Sequence, residues 1–199
     1  MEGSKYTLLK QIRDELLELK QSPLYEYRKT NNYFPVIGEG NHDAHIMFVG
    51  EAPGENEAKT GRPFCGAAGR VLDEMLLSVG INRKDVYVTN IVKDRPPNNR
   101  DPSPQEIELY SPFLVRQIDI IRPKIIATLG RFSMTFILEL FDVPEKTETI
   151  SRLHGKKIHA KTSYGDILIT PQYHPAVCLY NPSTKATMKK DFEVFKEIA

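Results

Sequence analysis

Four consecutive apolar residues, Ile46, Met47, Phe48 and Val49, run into Gly50 and then Pro53-Gly54, where the chain must turn sharply. An apolar run bounded by turn formers reads as a buried strand. The turn carries carboxylates at Glu51, Glu55 and Glu57, then a basic stretch, then a lone aromatic, Phe64. Ligands in open α/β sheets bind beyond the carboxyl ends of the strands, so these acids stand where a site would form. A segment built only to turn the chain has no need of this mixture.

The rest of the chain alternates between the two periodicities. An amphipathic helix is expected over about residues 5–21, then an irregular, aromatic-rich stretch over 23–40. Val71, Leu72, Met75, Leu76 and Val79 recur at helical spacing, and Gly80 suits the stop. Residues 86–92 read as a second strand. After the loop RPPNNRDPSP, Ser103 as N-cap, Pro104 and Glu106 start a helix, which Pro112 is expected to kink or break. Residues 124–129 form a third strand before Gly130, 132–141 a helix, 167–170 a fourth strand ending at Pro171, and 185–198 a basic helix. Residues 147–163 carry no clear pattern. Strands alternating with helices indicate parallel βαβ units. The expected fold is α/β, one domain over residues 1–199, a three-layer α/β/α sandwich with a central four-stranded parallel sheet. The loops after strands 1, 2 and 4 then share one edge and make one composite site.

Composition narrows the partners. Of the 199 residues, 40% are hydrophobic and 27% charged, values of a soluble globular protein. No apolar run approaches the roughly 20 residues a bilayer crossing needs, and the first residues lack a signal-peptide pattern. An intracellular protein with no membrane contact is expected. Cys65 and Cys178 lie far apart with no CxxC spacing, which argues against a metal site built from cysteine or a disulfide scaffold. A net charge of +1 does not announce nucleic-acid binding; such binding would rest on local patches. Lys59, Arg62, Lys93, Arg95 and Arg100 cluster around the edge loops, and Lys185 follows His174. Singly, each cation reads equally well as a solvated rim, and Asn90 or His174 alone as a structural hydrogen-bonder. The 50–54 turn lacks the Lys-Ser/Thr ending of a nucleotide-binding loop.

Taken in order, GEG at 38–40, GEAPGENEAKTGRPF at 50–64, VYVTNIVKDRPPNNR at 86–100, and YHPA at 173–176 followed by NPS closely resemble the family-4 uracil-DNA glycosylases. The resemblance implies roles position by position. Glu51 would lie beside the glycosidic bond and position water, with Ala52 next to it in the uracil pocket. Phe64 would stack on the extruded base, Asn90 read its polar edge, His174 approach uracil O2, and Glu57 border C5. Residue chemistry agrees: a flipped base needs an aromatic platform and edge hydrogen bonds, and Asn offers donor and acceptor in one plane. Donation from His174 would stabilise the departing uracil anion, and loss of such a donor typically costs about 2.7–4 kcal/mol. Leu179 is the candidate wedge for the vacated stack, although Tyr180 stands where relatives often carry a basic residue.

The chain departs from that family in one respect. Most members hold an iron–sulfur cluster on four cysteines: a CxxC pair before GEG, one in the VK-C-RPP stretch, and one sixteen residues later. Here the last two positions are Asp94 and Tyr110, and residues 23–37 contain no cysteine. No cluster and no metal are therefore expected. Leu24, Tyr25, Tyr27, Tyr33 and Phe34 with Tyr110 are expected to form an apolar staple instead, with Asp94 taking a hydrogen bond or a cation. The expected function is uracil excision in DNA repair, acting as a monomer on single- or double-stranded uracil-containing DNA; no replication clamp is assigned. The alternatives are a glycosylase for hypoxanthine or xanthine and a non-catalytic damage-binding module.

Overall fold

The computed structural model describes residues 4–197. Six strands make one sheet: β1 (Glu39–Gly40), β2 (Ile46–Gly50), β3 (Tyr87–Asn90), β4 (Ile125–Leu129), β5 (Ile158–Thr162) and β6 (Gly165–Gln172), in the order β1-β3-β2-β4-β6-β5. The inner four are parallel, as expected from the sequence. Both edges are antiparallel additions. β1 is only two residues long, too short for a pattern. β5 alternates buried Ile158 and Ala160 with exposed His159 and Lys161 inside a basic run that masks its strand character.

Nine helices are described: α1 (Lys5–Leu17), α2 (Tyr25–Thr30), α3 (Glu55–Thr60), α4 (Ala67–Ser78), α5 (Pro104–Ile121), α6 (Arg131–Leu140), α7 (Ile150–Leu153), α8 (Val177–Tyr180) and α9 (Thr184–Phe192). Ser4 caps α1 by accepting from the Thr7 N–H, and the helix stops short of the expected residue 21. α2 lies in the stretch expected to be irregular. α9 gives way to a 3-10 turn at Glu193–Glu197, and Ile198, where the expected helix ended, is outside the described residues.

Pro112 does not break α5, which runs through it as one helix. It sits on the exposed face, so the Glu108 carbonyl that loses its backbone donor faces solvent, where the Ser111 hydroxyl reaches it at 3.5 Å. Seven buried side chains hold the helix down on its other face, including Phe113, Leu114 and Ile118.

Two apolar layers sandwich the sheet. On one face Met47, Val49, Ile126 and Ile169 pack against α1, α5 and α6 through Ile12, Leu16, Leu114 and Ile137. On the other, Ile46, Phe48, Val88 and Ala127 pack against α4 and α9 through Leu72, Met75 and Phe192. Phe48 stacks on Phe192 at 6.0 Å between centroids. Among the described residues no helix is long and apolar enough to cross a membrane. The carboxyl ends of the four parallel strands all open on one edge, where the acidic turn lies.

Candidate active site

β2 delivers the turn and β3 the residue beside it. Gly50 pairs with Asn90 in register, and the ladder continues past both: the Ile91 and Val92 amides donate to the Gly50 and Glu51 carbonyls, each at 3.0 Å. A Cβ at Gly50 would overlap the Asn90 amide and stand 2.7 Å from the Phe64 ring. Only glycine lets these two side chains meet there. Asn90 is 1% exposed, yet its Oδ1 has no hydrogen-bond partner. A buried acceptor left unpaired marks a place for a ligand donor. It lines a cavity of about 380 Å³ shared with Glu51, Ala52, Glu57, Phe64 and His174. The six base-pocket and catalytic positions singled out in the sequence therefore meet around one space.

Phe64 is held in a left-handed backbone conformation, φ 47°, which a bulky residue adopts only when its surroundings impose it. Glu57 supplies part of that constraint. Its Oε1 accepts from the Cys65 and Gly66 amides at 2.9 and 2.8 Å, closing the turn that carries Phe64. Gly69 completes the fit, because a side chain there would strike the Phe64 carbonyl. The Phe64 and His174 rings lie 5.7 Å apart, tilted by 36°.

His174 Nδ1 accepts from the Ala176 N–H at 3.2 Å, so in the neutral ring the proton sits on Nε2. Burial pushes its pKa down to about 4, against a smaller opposing pull from Glu57. The ring is thus a neutral N–H donor at physiological pH. Glu51 moves the other way. Half-buried, its carboxyl is raised to about 7, chiefly by burial, then by the Asp101 carboxylate, with Arg131 opposing. Asp101 and Arg131 face each other at 3.7 Å. Neither was singled out in the sequence, although both follow directly on edge signals, the RPPNNR loop and Gly130. Pro96, Asn99 and Arg100 from the same loop also line the cavity. The doublet Asn98-Asn99, both at positive φ, was the local sign of that turn. Residues 147–163 contribute nothing to the lining.

The cations expected to meet DNA divide into two groups. At the surface, Lys59 pairs with Glu55 (2.6 Å), Arg62 with Glu39 (2.9 Å) and Lys185 with Glu74 (2.7 Å). Arg100 pairs with Glu106 (2.6 Å), and Arg95 bonds Asn99 (2.8 Å) and Tyr33 (2.9 Å). Lys93 is a correction. It is 0% exposed and its ammonium is spent inside the protein, so no phosphate can reach it. Leu179, 46% exposed, sits on α8 beside Tyr180.

The expected apolar staple is also corrected. Tyr110 is fully buried, but its hydroxyl donates to Asp94 at 2.5 Å and meets the Ser22 hydroxyl at 2.7 Å. Arg28 of α2 donates to both Asp94 oxygens, at 3.2 and 3.0 Å, and to the carbonyls of Leu16 and Leu17. Leu24 is buried in the core, whereas Phe34 is exposed, and Tyr27 and Tyr33 meet edge to face beside Arg95. A polar network, not an apolar one, thus occupies the positions where the resemblance places two cluster cysteines. Iron–sulfur clusters are held by thiolates. The donor set here is carboxylate, phenol and guanidinium, already bonded to one another, and does not fit one. Cys65 instead lies against Thr60 and Cys178 against Met188.

This fold and this pocket define the class: an α/β protein with one cavity at the sheet edge, lined by an aromatic, an unpaired amide oxygen, a histidine and carboxylates. The chain belongs to the uracil DNA glycosylase superfamily, whose family model matches residues 37–198. It is 47% identical over 192 residues to the type-4 uracil-DNA glycosylase of Sulfurisphaera tokodaii, covering 96% of this chain and 84% of that one. To the type-4 uracil-DNA glycosylase of Archaeoglobus fulgidus it is 44% identical, covering 96% and 92%. A type-5 uracil-DNA glycosylase from Pyrobaculum aerophilum is 27% identical, covering 83% and 75%.

Removing one partner of a buried ion pair costs about 3–5 kcal/mol. Asp94→Ala strands Arg28 and is expected to lower the denaturant midpoint accordingly; an unchanged midpoint would show that the network is not structural.

Proposed function

We propose that the chain is a monofunctional uracil-DNA glycosylase, which extrudes uracil from DNA and hydrolyses its N-glycosidic bond to leave an abasic site. The observation that carries this reading is the unpaired Asn90 Oδ1, fixed opposite an aromatic and a neutral histidine in one cavity. Uracil presents N3–H to an acceptor and O4 to a donor, the pattern an amide matches. Cytosine presents the reverse, and each buried polar group left unpaired costs about 1–3 kcal/mol. Phe64 supplies the stacking face.

As C1′–N1 breaks, the sugar gains positive charge and uracil departs as an anion with charge on O2. The Nε2–H of His174 donates to that oxygen, and its neutrality keeps the proton on the ring while the charge develops. The Glu51 carboxylate faces the cationic sugar and orients water, whose oxygen bonds to C1′ while a proton is released. The uracil anion regains a proton on leaving. Lys59, Arg62, Arg95, Arg100 and Lys185 form the rim along which a DNA backbone would run, and Leu179 fills the gap in the stack. Substrate DNA is single- or double-stranded. The protein works as an intracellular monomer without membrane contact, and without a cluster, since Asp94, Tyr110 and Arg28 brace the region.

Oligonucleotides carrying a single uracil, hypoxanthine or xanthine, treated with alkali after incubation, test the reaction. Strand cleavage at uracil is expected. Cleavage only at another base, or binding without cleavage, would reject the reading.

A carboxyl with a pKa of about 7 is protonated below that pH, and only its ionised form stabilises the sugar cation. The excision rate is expected to rise with pH through about 7 and then level, and Glu51→Gln should abolish that limb along with most turnover. A Glu51→Gln variant that keeps the same profile would remove Glu51 from the chemistry.

A further inference from the structure

Lys93 is fully buried and its ammonium bonds the backbone of Asn90, one of the residues lining the pocket. Nζ donates to Thr89 Oγ1 at 2.7 Å, to the Asn90 carbonyl at 2.6 Å and to Gln117 Oε1 at 2.6 Å. The partners are acceptors toward it. Thr89 gives its hydrogen to the Ile37 carbonyl at 2.7 Å. Gln117 gives its amide hydrogens to the same carbonyl at 2.9 Å and to the Tyr87 hydroxyl at 3.1 Å. Three acceptors converge on one nitrogen, and only the ammonium form supplies three hydrogens.

Burial pushes the Lys93 pKa well below the ordinary lysine value, with no carboxylate among the described residues to oppose it, whereas the three converging acceptors favour the ammonium. A buried charge without a counter-ion is costly, so what the ammonium holds in place matters. It holds the last residue of β3. The Asn90 carbonyl turns to Lys93, while the next two amides return to β2. The Asn90 amide has no partner on Oδ1 to aim it. Its direction is therefore fixed by its backbone from below and by Gly50 and Phe64 at its sides.

We propose that Lys93 is a positioning residue for base recognition: it locks the Asn90 backbone so that the amide presents one fixed edge to the base. The proposal rests on the uracil reading and adds to it a specificity role for a residue that touches neither base nor DNA. It acts from the opposite face of the sheet through Thr89, and from α5 through Gln117.

Lys93→Met keeps the length of the side chain and removes its donors. The comparison variant is Ile126→Ala, a core substitution in the strand beyond β2, used to match a general loss of stability. Both are assayed below their unfolding temperatures for kcat and KM on uracil DNA and for single-turnover release of cytosine. Lys93→Met is expected to lower kcat by roughly 10²-fold with little change in KM, as misplacement of a recognition group does. It should also narrow the preference for uracil over cytosine, whereas Ile126→Ala keeps both. Thr89→Val, isosteric and missing one acceptor, should show a smaller loss of roughly 5–10-fold. It carries the test if Lys93→Met does not fold. Wild-type kcat and wild-type preference in Lys93→Met, or in Thr89→Val when it alone folds, would overturn the proposal. An unsubstituted chain that releases no uracil would instead overturn the functional reading, and the proposal with it, before any variant is made.

Discussion

Two side chains on one face of α5, Tyr110 and Gln117, grip the chain as it leaves β3. They stand seven residues apart, two helical turns, and take hold of consecutive residues, Asp94 and Lys93. Upstream of that grip is Asn90; downstream, residues 96–101 supply one wall of the cavity. Arg28 fastens the same point to α2 and to the end of α1. A buried ion pair is weak evidence for added stability, since desolvation offsets most of its attraction. Its use here is geometric. Three helices and one strand are brought into a single arrangement around a fully hydrogen-bonded centre, and the pocket is built on the segment they fix.

Burial then sets the chemistry in two opposite directions. The same exclusion of water that keeps His174 neutral raises the Glu51 carboxyl. On the proposed reading, the neutral donor meets the departing ring and the carboxylate, poised near physiological pH, meets the sugar, which acquire opposite charges as the bond breaks. Glycine at position 50 makes this possible, because any larger residue would separate Asn90 from Phe64.

The parallel sheet and the pocket positions were legible because their signals are local. Apolar runs that pass directly into polar loops announce strands, and the intervening helices make those strands parallel; their order in the sheet is seen only in the structure. What the sequence concealed depends on partners distant along the chain. Lys93 resembled a DNA-facing cation, since nothing near it shows that Gln117, twenty-four residues on, meets it with a buried acceptor. Arg28 sat in a stretch read as irregular, and its carboxylate lies sixty-six residues away. Pro112 looked like a helix breaker because its exposure could not be read from its neighbours. β5 was hidden by His159 and Lys161 on its outward face. The family pattern sets Glu57 against the base, and nothing local shows that one of its oxygens also closes the turn that aims Phe64.

The proposed pocket reads uracil through Asn90, Phe64 and His174 together. A crystal structure of the chain with free uracil tests it most directly. The ring is expected to stack on Phe64, with N3–H and O4 on the Asn90 amide and O2 within hydrogen-bond distance of His174 Nε2. Uracil bound outside this cavity, or inside it with Asn90 Oδ1 still unpaired, would contradict it.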